Sequence, residues 1–390
     1  MFYHARPLIQ QELFVCGYIG VEFFFLVSGY LLMKKAREAS FLPGETGAEP
    51  GGSGDIFEEN LKMLCHKLRG ILPYLIPALI CAFLFRYAFS DRSLTEALHD
   101  LAYAVVEAAS LQMFGFENGA LVDAAWYLSS LLIVSFVLYP ILRRWPKAFI
   151  LYAGPLLVLL IYGYFSRTLN GAMNMPTHWY GLCFKGLLRG FAGMTLGCVS
   201  YEAAERLRKV FPGADGKSGL PQENQAQQES GVSQEKRTQQ ESGGLLGEIR
   251  RKRAAFTAME LGGYGIAIAY LIFCPVQTSL DFLITALLFF FVTISFSGVS
   301  GAAGLFDRES FRFLGVFSLS VFLNHSYIRE NMRRLFGGLI GNDGGLLALY
   351  AVLVLAVSLG NFFLGRYFLF HRIRMSKGAF KSLFWKNAQK

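Results

Sequence analysis

The sequence predicts an all-α protein, a polytopic helical bundle that lies in the cell membrane and has about nine spans. Three observations support this fold class: the composition, the long apolar runs, and the position of the basic residues. The 390 residues are 53% hydrophobic and only 17% charged. A soluble domain of this size is less apolar and carries more charge. We therefore expect most of the chain to cross the bilayer.

Runs of about 20 apolar residues define the individual spans, because that length crosses roughly 30 Å of hydrocarbon as a helix. The nine candidates lie near residues 12–33, 71–90, 124–142, 148–165, 179–200, 256–274, 279–297, 313–328 and 345–369. The stretch 97–116 is weaker because it carries His99, Asp100 and Glu107. We expect an amphipathic or re-entrant helix there.

The basic residues indicate the orientation of the bundle. A formal net charge of +9 could suggest a nucleic-acid partner, but most of the 37 lysines and arginines lie in connections between spans. These connections are residues 34–70, 143–147, 201–255, 308–312 and 366–390. If the spans alternate, all five lie on one side, and the positive-inside rule makes that side the cytoplasm. We predict a cytoplasmic C-terminus, membrane lipids as partners and no nucleic acid.

Two polar segments interrupt this single domain of residues 1–390. Residues 41–58 are predicted to form a flexible cytoplasmic loop. Residues 212–244 are rich in Gln, Glu, Ser and Gly, and we expect a disordered cytoplasmic linker. The six cysteines are scattered with no metal-binding spacing, so we predict neither a metal site nor a disulfide.

The predicted orientation raises a question about the first span. Nine spans and a cytoplasmic C-terminus place the N-terminus outside, yet the opening residues MFYHARPLIQQELF do not form a signal peptide. We therefore expect a first span encoded upstream of Met1.

A few polar side chains lie in or beside the spans, where an unpaired charge costs at least about 2.5–3.5 kcal/mol. Glu22 lies in GVEFFFLVSGYLL and shares a helix face with Gly29. It is either a functional carboxylate or half of an interhelical ion pair. His4 is either a general base or a polar anchor at the membrane surface, and His325 has the same two interpretations.

The cationic side chains have two interpretations as well. Lys185 and Arg189 are four residues apart on one helix face, so they repel each other unless an anion or a carboxylate lies nearby. They form either a pair for Glu22 or an anion site. Arg69 either extends to the lipid headgroups or binds a phosphate through its guanidinium.

Five segments resemble, in order and spacing, the membrane-bound acyltransferase family 3. They are GVEFFFLVSGYLL, LRGILPYLIP, WYLSSLLIVSFVLYP, LRGFAGMTLG and LGVFSLSVFLNHSYI. The resemblance covers nearly the whole chain. It implies a fold of ten membrane helices and transfer of an acyl group, commonly acetyl from acetyl-CoA. The family's acceptors are sugars of surface polysaccharides, lipopolysaccharide, peptidoglycan or other glycosylated molecules.

The resemblance also implies residue roles. In the family, the first helix carries an arginine and, about three turns later, an essential histidine, whose place His4 occupies. The matching arginine would lie upstream of Met1. Leu131 stands where the best-known branch has a glutamate, which suggests another branch of the family. Phe322 replaces the tyrosine of the C-terminal motif, whereas its histidine remains as His325.

The resemblance therefore implies an O-acyltransferase of the cell envelope that transfers groups other than amino-acyl groups. The predicted catalytic residues are His4 and Glu22, with Glu22 holding and polarising the imidazole. The predicted substrate-binding residues are Ser28, Arg69, Tyr74, Trp126, Ser129, Arg189 and His325. No bound cofactor is expected. The donor is acyl-CoA, with acetyl-CoA the expected form and its phosphates near Arg69, and the acceptor is a glycan or glycolipid approaching from the outer face.

Two other functions fit the same residues. A transporter or flippase of a polar solute also places charges between its spans, although no internal repeat is visible on the two sides of the 212–244 linker. The second alternative is an inactive family member that assists polysaccharide export. It is expected if translation starts at Met1, because the family arginine would then be missing.

Overall fold

The computed structural model of this protein is built almost entirely of helices. It describes residues 2–9, 13–41, 53–88, 92–116, 120–168, 173–181, 183–211, 232–302, 304, 308–336 and 344–375. The helices in these ranges are α1 (Phe2–Ile9), α2 (Gly20–Phe41), α3 (Ser53–Ala88), α4 (Leu94–Ala108), α5 (Trp126–Arg144), α6 (Pro146–Ala148), α7 (Gly154–Thr168), α8 (Lys185–Val210), α9 (Val232–Phe273), α10 (Leu280–Ser297), α11 (Glu309–Phe336) and α12 (Gly344–Met375). The predicted all-α class is confirmed.

Short turns and one small hairpin join some of these helices. Tight 3-10 turns cover Gly17–Ile19 and Asp123–Ala125, just before α2 and α5. Strand β1 (Trp179–Tyr180) pairs antiparallel with β2 (Cys183–Phe184). The span predicted for residues 179–200 therefore begins later than expected, at the start of α8.

Seven helical segments of the described chain are long and apolar enough to cross a membrane. They are Gly17–Ala39, Ile56–Ala88, Asp123–Arg144, Pro146–Thr168, Arg250–Phe273, Leu280–Ser297 and Gly344–Phe368. This finding confirms a multi-pass membrane bundle. The other two predicted spans lie in α8 and α11, which are helical but carry more charged residues. Their passage through the bilayer remains a prediction.

Both polar segments predicted from composition lie largely outside the described residues. This holds for residues 42–52 of the predicted loop 41–58 and for residues 212–231 of the predicted linker 212–244. The last residues of both segments are helical, because α3 and α9 begin before the segments end. Each helix extends beyond its apolar run, since charged residues are compatible with a helix that projects from the membrane.

Helices α2 and α8 pack at very close range through glycines. A Cβ atom on Gly29 would overlap the carbonyl group of Met194, and a Cβ atom on Gly197 would overlap that of Leu26. Such contacts between small residues allow two membrane helices to approach until their backbones touch. The segments GVEFFFLVSGYLL and LRGFAGMTLG are therefore packing partners, which neither segment reveals on its own.

Helix α4 is amphipathic, with two of its three acidic residues turned inward. Asp100 and Glu107 are buried, whereas Leu94, Leu98 and Val105 are exposed. The helix begins with a capping box at Ser93, which satisfies backbone groups of its first turn. This pattern fits the expected helix at the membrane surface, where the apolar side contacts lipid.

The two ends of the chain meet on α11. Helix α1 packs against α11 and α12, and α11 packs against α3 and α12. A buried amide connects these helices: the Asn361 side chain on α12 donates to the Tyr74 carbonyl oxygen of α3 at 3.1 Å and to Asn324 Oδ1 of α11 at 3.5 Å. This arrangement brings His4 on α1 opposite His325 on α11.

Candidate active site

A cavity of about 820 Å³ lies where α1, α2, α5, α8 and α11 converge. Its lining combines two imidazoles, three guanidinium groups, one carboxylate and several aromatic rings. These residues are His4, His325, Arg6, Arg189, Arg329, Asp123, Tyr3, Tyr18, Phe24, Trp126 and Phe322. An acid–base pair with cations and aromatic walls is suited to a polar reaction that develops negative charge.

His4 is held by Arg329. The guanidinium Nη1 atom of Arg329 lies 3.2 Å from His4 Nδ1. An arginine can only donate hydrogen bonds, so His4 Nδ1 is the acceptor. Burial, followed by the charge of Arg329, lowers the pKa of His4 to about 3. The ring is therefore neutral at physiological pH.

His325 lies beside His4 and is anchored differently. The centroids of the two imidazole rings are 4.7 Å apart, and the ring planes are inclined by 59°. His325 Nδ1 lies 2.6 Å from the carbonyl oxygen of Phe322, one turn earlier on α11. Its Nε2 atom is buried without a hydrogen-bond partner among the described residues.

Glu22 and Arg189 form a buried ion pair beside the cavity. Arg189 Nε donates to Glu22 Oε1 at 2.7 Å, and the two side chains are 1% and 0% exposed. The same guanidinium donates to the Tyr18 carbonyl oxygen at 3.2 Å and lies over the Trp126 ring at 5.2 Å. The Arg189 guanidinium is part of the cavity wall. Glu22 does not line the cavity but fixes the position of this guanidinium through the ion pair.

The ion pair bears on the predicted role of Glu22. Of the two alternatives for Arg189, the pair with Glu22 is the one observed. Among the described residues, Glu22 contacts Arg189 and Tyr162, whereas His4 contacts Arg329, His325 and Tyr3. The expectation that Glu22 holds His4 is thus not met, because the carboxylate lies on α2 facing α8 rather than α1.

The predicted site residues Ser28 and Ser129 do not line the cavity. They serve as packing and hydrogen-bonding groups. The Ser28 and Tyr127 hydroxyl groups are 3.3 Å apart. Ser129 is fully buried, and its Oγ accepts the backbone N–H of Met113 at 3.0 Å. Both serines stabilise the helix junctions around the cavity.

The remaining two predicted residues lie on α3. Tyr74 is buried, and its ring packs on Phe362 of α12. Arg69 lies about 25 Å along α3 from Arg86, at 1.5 Å per residue, and Arg86 borders a second cavity described below. Arg69 is thus remote from the histidines. Trp126, Arg189 and His325 do line the main cavity with His4.

Several cavity residues were not predicted from the sequence. Arg329 follows His325 by four residues in HSYIR, so a search for polar pairs on one helix face would have found it. Asp123 precedes α5 by three residues, in a turn. Tyr3 is exposed to the cavity and accepts a hydrogen bond from the Asn174 amide, a pairing that only the fold creates.

A buried carboxylate fixes the turn that carries Asp123. Glu107 on α4 accepts the backbone N–H groups of Leu121 and Val122, at 2.6 and 3.1 Å. Burial raises the pKa of Glu107 to about 7, although these two hydrogen bonds act in the opposite direction. The inward face of α4 thereby supports one wall of the cavity.

A smaller cavity of about 240 Å³ adjoins the first through Asp123 and Arg329. It contains hydrogen-bond donors and acceptors, among them Arg86, Ser326, Tyr327, Glu330, Asn331 and Arg334. The Ser326 Oγ and Asn331 Oδ1 atoms are buried and have no partner among the described residues. The space and its polar groups suit a hydroxylated ligand.

Comparison with known proteins identifies the family. The model of acyltransferase family 3, described as an acyltransferase domain, matches residues 1–364. No curated protein and no solved structure matches the chain. The family match covers most of the 390 residues and agrees with the helical membrane fold. This chain therefore belongs to acyltransferase family 3 and is a multi-pass membrane acyltransferase.

Proposed function

We propose that this acyltransferase moves an acyl group, with acetyl the expected group, from acyl-CoA to a hydroxyl group of a cell-surface or lipid-linked sugar. The observation that carries the proposal is the pair of adjacent imidazoles, His4 and His325, in a cavity that also holds Arg189 and Arg329. Acyl transfer to a hydroxyl needs a proton acceptor and a site for a developing oxyanion. This set of side chains can supply both.

The cavity's position supports an acceptor that approaches from outside the cell. In the predicted topology, the starts of α2, α5 and α8 and the end of α11 face outward. The adjoining smaller cavity can receive a sugar ring, because its side chains offer both donors and acceptors to hydroxyl groups. Its volume of about 240 Å³ is appropriate to one ring rather than to a long chain.

The donor is proposed to enter from the cytoplasmic side. Arg69 lies toward that side of α3 in the predicted topology, and a guanidinium can bind a CoA phosphate through paired hydrogen bonds. The acyl thioester would then extend through the bundle to the histidines. Glu22 acts indirectly in this scheme, since it holds Arg189 in place.

Acyl transfer can be tested at the native gene locus, so that the result does not depend on where translation begins. Cells with the unmodified gene or with His4→Ala would supply membranes, which are incubated with radiolabelled acetyl-CoA. We expect label in surface glycan or glycolipid with the unmodified gene and a loss of at least about 100-fold with His4→Ala.

His66→Ala is the matched control, because His66 is exposed on α3 and does not line the cavity. It should label like the unmodified protein. Equal labelling with and without His4 would remove this residue from the reaction. Labelling that does not depend on the gene would contradict the proposed function.

A further inference from the structure

The hydrogen bonds of the two histidines define which nitrogen carries the proton in each neutral ring. The His325 Nδ1 atom faces a carbonyl oxygen, which can only accept, so this nitrogen is an N–H donor. His325 Nε2 therefore keeps its lone pair. The His4 Nδ1 atom faces a guanidinium, which can only donate, so the lone pair of His4 is at Nδ1 and its proton is at Nε2.

We infer that His325 is the proton acceptor of the reaction and that His4 is a hydrogen-bond donor to the developing oxyanion. This inference rests on the proposed function. His325 Nε2 has a lone pair and no hydrogen-bond partner among the described residues. The lone pair of His4 Nδ1, in contrast, already accepts a hydrogen bond from Arg329. Arg329 is thus a positioning residue that fixes the tautomer of His4.

The groups around the pair are consistent with these roles. The charged and titratable side chains near His325 are His4 and Arg6 on α1, Asp123 before α5, Arg329 on its own helix, and Tyr350 on α12, whose hydroxyl donates to the His325 carbonyl oxygen. Burial disfavours a protonated resting state of His4, and the charge of Arg329 acts in the same direction. In each neutral ring, the hydrogen bond at Nδ1 defines one donor nitrogen and one acceptor nitrogen.

The step balances with acyl-CoA as the donor. The acceptor hydroxyl gives its proton to His325 Nε2, and its oxygen forms a bond to the thioester carbonyl carbon. The carbonyl oxygen becomes negatively charged and accepts a hydrogen bond from His4 Nε2–H. The tetrahedral intermediate then breaks its C–S bond, and the leaving thiolate receives the proton from His325. The products are the ester and free CoA.

Two substitutions separate the roles of the histidines. His325→Asn keeps an N–H group at the position of Nδ1, so the hydrogen bond to Phe322 can persist, but it removes the basic nitrogen. We expect kcat to fall by about 10²–10⁴-fold with the KM for acetyl-CoA unchanged. His4→Gln keeps a side-chain N–H donor without any basic nitrogen, and it should retain more activity than His4→Ala.

Rescue by added imidazole gives a second readout. Imidazole should restore label transfer to His325→Ala only in its unprotonated form, so that the rescue is lost as the buffer is acidified. Rescue of His4→Ala should persist with the protonated form, because a donor is sufficient there. Arg329→Lys should retain more activity than Arg329→Met, since lysine can still donate to His4 Nδ1.

The experiment uses the full chain in native membranes, with radiolabelled acetyl-CoA as the donor and His99→Asn as the matched control on α4. Size-exclusion profiles of the variants in detergent verify that each is folded. If His4→Gln is as inactive as His4→Ala while His325→Asn remains active, the inference is overturned and His4 is the base. Absence of transfer by the unmodified protein would instead overturn the proposed function, and this inference with it.

Discussion

At the scale of single residues, the Glu22–Arg189 pair links stability to the site. Both side chains are almost completely buried, and Arg189 is also part of the cavity wall. The loss of one partner leaves the other charge buried and unpaired, which costs about 3–5 kcal/mol in proteins. Such a pair therefore constrains the position of α2 relative to α8 as well as the charge that the cavity presents.

We predict that Glu22→Gln destabilises the protein strongly, and that a double variant, Glu22→Gln with Arg189→Met, is more stable than Glu22→Gln alone. The reason is that the second substitution removes the unpaired cation. Thermal unfolding of the purified protein in detergent, followed by size-exclusion chromatography, measures both effects. Lys34→Gln is a suitable control, because Lys34 forms an exposed pair with Glu38 and such pairs contribute little.

Additive destabilisation in the double variant would contradict this coupling. The activity of the double variant is informative as well. We expect it to be low even where the fold is retained, since Arg189 no longer offers a cation beside Trp126. A fully active double variant would exclude Arg189 from the site.

At the scale of elements, the α2–α8 contact determines where the cavity forms. The backbones meet at Gly29 and Gly197, so no side chain can be inserted there without moving a helix. We predict that Gly29→Val and Gly197→Val reduce the yield of folded protein severely, whereas Gly163→Val on α7 is tolerated. A Cβ atom on Gly163 would meet no atom within 4 Å.

Fluorescence of a fused reporter after size exclusion in detergent measures this yield. Equal yields for the three valine variants would mean that α2 and α8 can separate without loss of the fold. Unchanged activity in Gly29→Val would further show that the cavity does not depend on their close approach.

The helices themselves were predictable to a large extent, but which helices pack against each other was not. Apolar runs identify spans such as α5 and α10 because the bilayer demands about 20 apolar residues. The period of a helix also shows that Glu22 cannot face lipid. It does not show which neighbouring helix receives the carboxylate, since that depends on how glycines on α8 let two backbones approach. The expected contact with His4 failed for this reason.

At the scale of the whole molecule, the distribution of basic residues predicts one orientation in the membrane. Cys65 is exposed on α3 and lies on the predicted cytoplasmic side. We predict that a membrane-impermeant maleimide fails to label it in intact cells and labels it after permeabilisation. The labelled protein carries Cys65 as its single cysteine, with Cys16, Cys81, Cys183, Cys198 and Cys274 replaced by alanine.

Thr95→Cys, introduced into the cysteine-free chain, is the reference for the outer side, because α4 lies in the predicted outer region and Thr95 is exposed. It should be labelled in intact cells. Labelling of Cys65 from outside, with Thr95→Cys protected, would reverse the predicted topology and place the cavity on the cytoplasmic side.

The site was predictable only in part, for a physical reason. His4, Trp126, Arg189 and His325 stand out because polar groups in membrane helices are expensive and usually functional. Arg329 and Asp123 lie near helix ends. Charged residues are common there, so the sequence alone gives no reason to assign them a function. Their importance follows from the way α11 is packed against α1 and the turn before α5, and that packing is a property of the complete fold.

The meeting of the two chain ends has a consequence for how this enzyme is made. His4 and Arg329 are in contact although they are 325 positions apart in the sequence. At about 5–20 residues per second, a ribosome needs roughly 15–65 s to synthesise that length. During this time the growing chain already contains His4 but has no partner for it. An unfinished chain therefore lacks the Arg329 contact of His4, and the cavity is complete only after α11 has been synthesised and packed against α1.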